Sequence, residues 1–329
     1  MNETAVPDIL IPFDPDSALA SPCIVPLYVR PETNRVDYES LIAESISDIG
    51  YPVFMANYNG SVITRRHIIR NHYFYRYIFA LHGKEEMKKY PEMIDAFESK
   101  FGVRFKDAPI YGAYEFLNRK ELSGGMDHDL LFHHYVSADE YMVYLGISVK
   151  KVRGSYVINY DIPGIMERYT SNTNILVVMI TPRSAVSFRD VNYAIYRTFL
   201  ESDVSKLLTI EKSPELSWEE RVKRTYHISH NHIEAMFDTT DFVLYKDFSP
   251  IHYIDTPLGR GLVDRSILNE GELDSILNYF KKFPILYARQ NSNNRRLINL
   301  RITASYDERM GRTEMTFDQC VDLFRSVVA

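Results

Sequence analysis

The sequence predicts a mixed fold, α/β to α+β, in which a mixed sheet of strand–loop–helix units and hairpins accompanies a helical segment around residues 64–135. Three observations predict it. An apolar strand-like run followed by a loop and a capped helix recurs three times, two stretches carry hairpin signals, and residues 64–135 have helical spacing with helix stop signals.

Taken in order, residues 1–22 hold Pro7, Pro12, Pro15 and Pro22 among acidic and small residues. Proline fixes φ and cannot donate to a sheet ladder, so an extended arm is expected there. Ile24-Val25-Pro26-Leu27-Tyr28-Val29 reads as the first strand, and Val36-Asp37-Tyr38 opens a helix to about 49. Residues 53–58 and 61–64 flank Asn59-Gly60, a dipeptide that accepts positive φ at both turn positions and so predicts a hairpin. A helix over 65–82 should stop at Gly83, and a second over 84–100 should break or restart at Pro91. Val143, Leu145, Ile147 and Val149 alternate as a strand that returns through Arg153-Gly154 into 156–160.

The second strand–loop–helix unit is 175–180, then Val186-Ser187-Phe188 and a helix to 200. Residues 203–216, with Pro214, suggest a domain boundary. A helix over 217–237 is expected from the capping box Ser217-Trp218-Glu219-Glu220. The third unit is 297–302, then Met315-Thr316-Phe317 and a helix to 328. Thr316 with Gln319, and Ser187 with Asp190, have the spacing that satisfies orphan backbone donors at a helix start. The expected division is an arm over 1–22, a mixed α/β domain over 23–204 with a helical insertion, and a second α/β domain, or a continuation of the first, over 205–329.

A chain of 329 residues with 45% hydrophobic and 25% charged residues can bury a core without staples. Two cysteines, Cys23 and Cys320, make no disulfide framework and point to a reducing compartment. The first residues lack the basic and apolar regions of a secretory signal, and the best apolar run, 175–180, falls far short of the roughly 20 residues of a membrane span. A cytoplasmic location with no membrane partner is therefore expected. Twenty-four tyrosines suit cores, ligand walls and interfaces alike.

The net charge of −6 is unevenly spread: residues 1–60 carry nine acids against two arginines, whereas 281–312 carry eight basic residues against two acids. The basic stretch reads as a surface for phosphate or nucleic acid, or as a solvated face or a site that docks the acidic end of the same or a neighbouring chain. Overall acidity disfavours a dedicated nucleic-acid binder.

Three constellations carry chemistry. On a helix over 217–237, His227, His230, Glu234 and Asp238 fall within about 80° of arc, which offers imidazoles and carboxylates to one divalent metal. The same stripe is also an ordinary polar border of an amphipathic helix. Asp127-His128-Asp129 with His133-His134 resembles, in two residues, the HD signature of helical metal phosphohydrolases, and His72 or His82 would be the upstream ligand; the family is not assigned. Arg65, Arg66, Arg70 and Arg76 among aromatics, together with Arg289, Arg295, Arg296 and Arg301, form candidate anion-binding sets, or else solvated cationic faces. Phosphate-loop, dinucleotide, nucleophile-elbow and H-E-x-x-H motifs do not occur.

Two functional classes follow. One is a non-catalytic interaction or self-assembling protein that associates through its acidic arm and basic C-terminal third, with no cofactor. The other is a metal-dependent hydrolase of a phosphoester or other anionic substrate, with a divalent metal on the His227 stripe.

Overall fold

The computed structural model describes residues 6–31, 34, 38–170, 173–183, 186–201, 222, 225–283, 285–290, 294–299 and 314–328, with 285–290 and 294–299 given by backbone alone. Its strands are β1 (Asp8–Ile11), β2 (Val25–Val29), β3 (Gly50–Asn59), β4 (Ile110–Gly112), β5 (Tyr141–Tyr144), β6 (Ile147–Val152), β7 (Ser155–Ile158), β8 (Asn174–Pro182), β9 (Tyr226–Ile228), β10 (Ile285–Gln290) and β11 (Asn294–Asn299). Residues 69–168 form one compact unit and the rest of the chain forms the other. Both helices and mixed sheets are present, as the sequence predicts.

The first unit holds a sheet of order β1-β3-β8-β2-β9, antiparallel at every neighbouring pair. β2 and β8 are the strands of the first two strand–loop–helix units. Their helices, Tyr38–Ile46 and Phe188–Glu201, pack together over the face made by Val25, Leu27 and Val29 with Leu176, Val178 and Ile180. Helical spacing explains the fit: Tyr38, Ile42 and Ile46 line one stripe, and Phe188, Val191, Ile195 and Phe199 line the other. Ser187 and Asp190 close the second helix reciprocally, with the Ser187 N–H donating to Asp190 Oδ2 at 2.9 Å and the Asp190 N–H to Ser187 Oγ at 3.2 Å. A further core joins helices His232–Phe242, Pro257–Asp264, Glu270–Lys282 and Phe317–Val328 through Phe237, Leu262, Leu277 and Phe324. Thr316 and Gln319 cap the last of these as expected, with N–H to side-chain oxygen distances of 2.8 and 3.3 Å. β11 covers 297–299 of the strand expected over 297–302, whose last three residues lie outside the described ones, and it pairs only with β10 among the described residues.

Four expectations are corrected here. The 1–22 stretch is not a free arm: β1 pairs with β3, and helix Pro15–Leu19 buries Ala18. Its prolines are compatible because Pro7 and Pro12 flank the strand and Pro15 starts the helix, where its missing N–H costs nothing. Asn59-Gly60 is not a hairpin turn. Asn59 ends β3 and caps helix Gly60–Arg65, its Oδ1 accepting the Val62 N–H at 3.0 Å. The run 143–149 is two strands, broken at Leu145-Gly146, both with positive φ. Of the helix expected over 217–237, residues 217–221, 223 and 224 lie outside the described residues and Val222 is helical, but from Tyr226 on the chain forms β9 and then helix His232–Phe242, because Tyr226–Ile228 pairs with β2. Residues 203–216, the expected boundary, lie outside the described residues.

β3 ends and β8 begins side by side: Asn59 is registered with Asn174, and the Gly60 N–H donates to Thr173 O at 2.7 Å. In chain order, the 69–168 unit falls between β3 and β8.

That second unit carries a sheet of order β4-β7-β6-β5, with β4 parallel to β7 and the other pairs antiparallel. The predicted Arg153-Gly154 turn joins β6 to β7, with φ of 49° and 80°. Helix Phe74–Met87 is interrupted at Gly83 (φ 44°), where a Cβ would lie 2.1 Å from the Gly112 N–H nitrogen, so only glycine permits the approach. Helix Pro91–Phe101 starts on its proline, as expected. Ala80, Phe116, Leu131, Val157 and Ile162 form this unit's own core.

Candidate functional site

The most concentrated chemistry of the first unit lies where β9 leads into helix His232–Phe242. The register of β9 on β2 sets His227 against Tyr28, and the two rings stack with centroids 4.8 Å apart. His227 Nε2 lies 2.9 Å from Asp238 Oδ2, and Ser229 Oγ donates to the same oxygen at 2.8 Å. Asp238 is 1% exposed, and a carboxylate so buried needs partners of this kind. Next to it, Glu234 Oε2 accepts the His230 N–H at 2.8 Å and lies 3.1 Å from His230 Nδ1. Burial disfavours the Glu234 carboxylate, but the charge and hydrogen bond of His230 outweigh that effect and hold its pKa below the usual value. Asn231 caps the helix, its Oδ1 accepting from Ile233 and Glu234. Farther along the helix, Asp241 pairs with Lys281.

All four sequence-predicted metal residues therefore stand in one neighbourhood, drawn from a strand, a loop and a helix. They form two histidine–carboxylate pairs, and no three of them bring ligand atoms within 4.8 Å of one another. Ser229 donates to Asp238, not to His227, so the trio is no serine–histidine relay.

The other candidates are placed as follows. Arg65 ends helix Gly60–Arg65, Arg66 is its C-cap, and Arg70 lies on helix Ile68–His72. The expected continuous arginine face is broken by His67, whose φ is 55°. Arg76 is no solvated cation: it grips both oxygens of Asp161 at 2.8 and 2.6 Å. Arg289, Arg295 and Arg296 lie on β10 and β11, while Arg301 lies outside the described residues. Asp127 is the N-cap of helix His128–His133, and Asp129 pairs with His133 at 3.4 Å on its exposed side. His82 is exposed.

Sequence reasoning passed over two sites. Lys150, 5% exposed on β6, donates to His134 O at 2.7 Å and lies 3.5 Å from the Tyr160 ring centre. Burial brings its pKa down to about 8, against the opposing charge of Asp161. The signal was the pair Lys150-Lys151 set between Val149 and Val152 in a strand. The second is an open groove of about 430 Å³ lined by Pro12, Phe13, Asp14, Tyr245, Lys246 and Asp247. No helix among the described residues is long and apolar enough to cross a membrane. No protein-family model, curated protein or solved structure matches the chain.

Proposed function

We propose that the chain is a non-catalytic interaction protein that assembles with copies of itself. The observation that carries this reading is the β10–β11 ribbon. It joins neither larger sheet among the described residues, and a two-stranded ribbon is marginal in water unless it is covered. One side of it meets helix Phe317–Val328, while its edges offer backbone donors and acceptors to another chain. Just before β10, Tyr279 and Phe283 are 54% and 41% exposed with ring centres 5.1 Å apart, and such aromatics are enriched at interfaces. The acidic first 60 residues and the basic 281–312 stretch favour a head-to-tail contact.

The test is native mass by light scattering over a range of concentrations, with absorbance followed at two wavelengths. A mass above 38.4 kDa that rises with concentration, and that falls in the Tyr279→Ser/Phe283→Ser variant, is expected. A monomer throughout removes the reading, and excess nucleic-acid absorbance redirects it to the arginines.

A second reading, a metal-dependent hydrolase of an anionic substrate, is favoured by the gathering of His227, His230, Glu234 and Asp238 at one helix start. A divalent cation there would have to displace the two histidine–carboxylate contacts. Stoichiometric metal in untagged protein, lost in His227→Ala/His230→Ala, would support it. Its absence after metal-replete expression would remove it.

A further inference from the structure

We propose that the Phe13–Tyr245 groove is a binding site for a small alkylguanidinium compound. This goes beyond self-association and does not depend on it. All six lining residues belong to the first unit: Pro12-Phe13-Asp14 falls between β1 and helix Pro15–Leu19, and Tyr245-Lys246-Asp247 lies in the turn after helix His232–Phe242. The volume of about 430 Å³ sits near the lower end of small-molecule sites. Phe13 is buried and stands edge to face with the half-buried Tyr245, ring centres 6.0 Å apart. The Tyr245 hydroxyl donates to Asp255 Oδ2, which fixes this more accessible ring in place.

The two exposed carboxylates of the lining are also fixed. Ser17 donates to Asp14 Oδ2 through Oγ at 2.5 Å and N–H at 3.3 Å, and Ser249 donates to Asp247 Oδ1 through Oγ at 2.6 Å and N–H at 2.9 Å. Serine hydrogen bonds favour the charged form, so both pKa values lie below the ordinary one and both groups are ionised at neutral pH. These contacts engage one oxygen of each carboxylate, which leaves the second to meet a ligand. Lys246 forms no ion pair among the described residues, and with two carboxylates against one ammonium the lining is net negative. A ring beside oriented carboxylates suits a guanidinium better than an ammonium. The guanidinium is planar, weakly hydrated, stacks on rings and forks onto carboxylate oxygens, whereas an ammonium is a strongly hydrated point charge.

Calorimetric titration of the full-length chain with ethylguanidinium chloride tests this. Saturable binding is expected, with butylammonium weaker by about tenfold or more. Asp14→Asn/Asp247→Asn, which keeps the side-chain shapes, should weaken ethylguanidinium by about tenfold or more. Lys246→Met, which removes the opposing cation, should tighten it several-fold, a gain that a misfolded variant would not show. N-acetylarginine methylamide, the same head group on a peptide backbone, should bind no more tightly than ethylguanidinium. A wild type without saturable heat, equal affinity for the two cations, or variants that bind as the wild type does overturn the site, and markedly tighter binding of the arginine amide overturns the small-molecule ligand. Native mass enters none of these outcomes, so failure here leaves the self-association reading standing.

Discussion

His232 stands between two rings, with Phe188 at 5.1 Å and Phe317 at 5.3 Å, and burial brings its imidazole pKa down to about 4 from an ordinary 6.5. Between those values the unfolded chain binds a proton that the folded chain does not, so stability falls as pH is lowered from 6.5 to 4. Glu234 acts in the same sense, since a depressed carboxylate pKa contributes stability that is lost as pH falls through it. Thermal midpoints should drop over this range, and His232→Phe should flatten the upper part of the slope; an unaltered slope would sink the assignment. Lys150 acts at the alkaline end. Its pKa of about 8, against an ordinary 10.5, makes the folded chain bind fewer protons between these values, so stability rises with pH there. Melts from pH 8 to 10.5 should show the rise in the wild type and lose it in Lys150→Met.

At the scale of elements, the start of helix His232–Phe242 depends on Asn231, whose side chain satisfies two orphan N–H groups. Asn231→Ala should cost about 1 kcal/mol in urea titrations while Asn231→Ser, which keeps a neutral capping oxygen at this buried position, costs less, as expected for an N-cap. Equal effects of the two would assign the residue some other role. This element also shows where the sequence was legible. The three strand–loop–helix units were readable because each combines an apolar run, a capping residue and helical spacing within about 30 residues, all local signals. β9 was not, because three residues carry no period of their own and its pairing with Leu27–Val29, about 200 residues earlier, decides its state. Asn59 misled for a related reason: its side chain suits a turn or a cap equally, and the pairing of β3 with β8 chose the cap. His227 and Asp238 were grouped by helical arithmetic and do meet, but through a strand, a turn and the first turns of a helix, which no single period describes.

For the whole molecule, the chain divides into two units, and the clusters around Phe116 and around Phe324 are each made from residues of one unit. Phe116 lies at 0% exposure in the core of the 69–168 unit, and Phe324 at 0% in the helical core of the other. Truncating either to alanine should cost about 3–5 kcal/mol, a large part of the roughly 5–15 kcal/mol that keeps a domain folded. Cores built separately can open separately, so the two substitutions should leave different footprints in native-state hydrogen exchange. Phe116→Ala should lower amide protection across β4, β6, β7 and helix Phe74–Met87, with β3 and β8 keeping theirs. Phe324→Ala should lower protection in helices His232–Phe242, Pro257–Asp264 and Glu270–Lys282 and spare the inserted sheet. If either substitution instead lowers protection uniformly over both sets, the two cores open in one cooperative step and the division by core composition has no energetic counterpart.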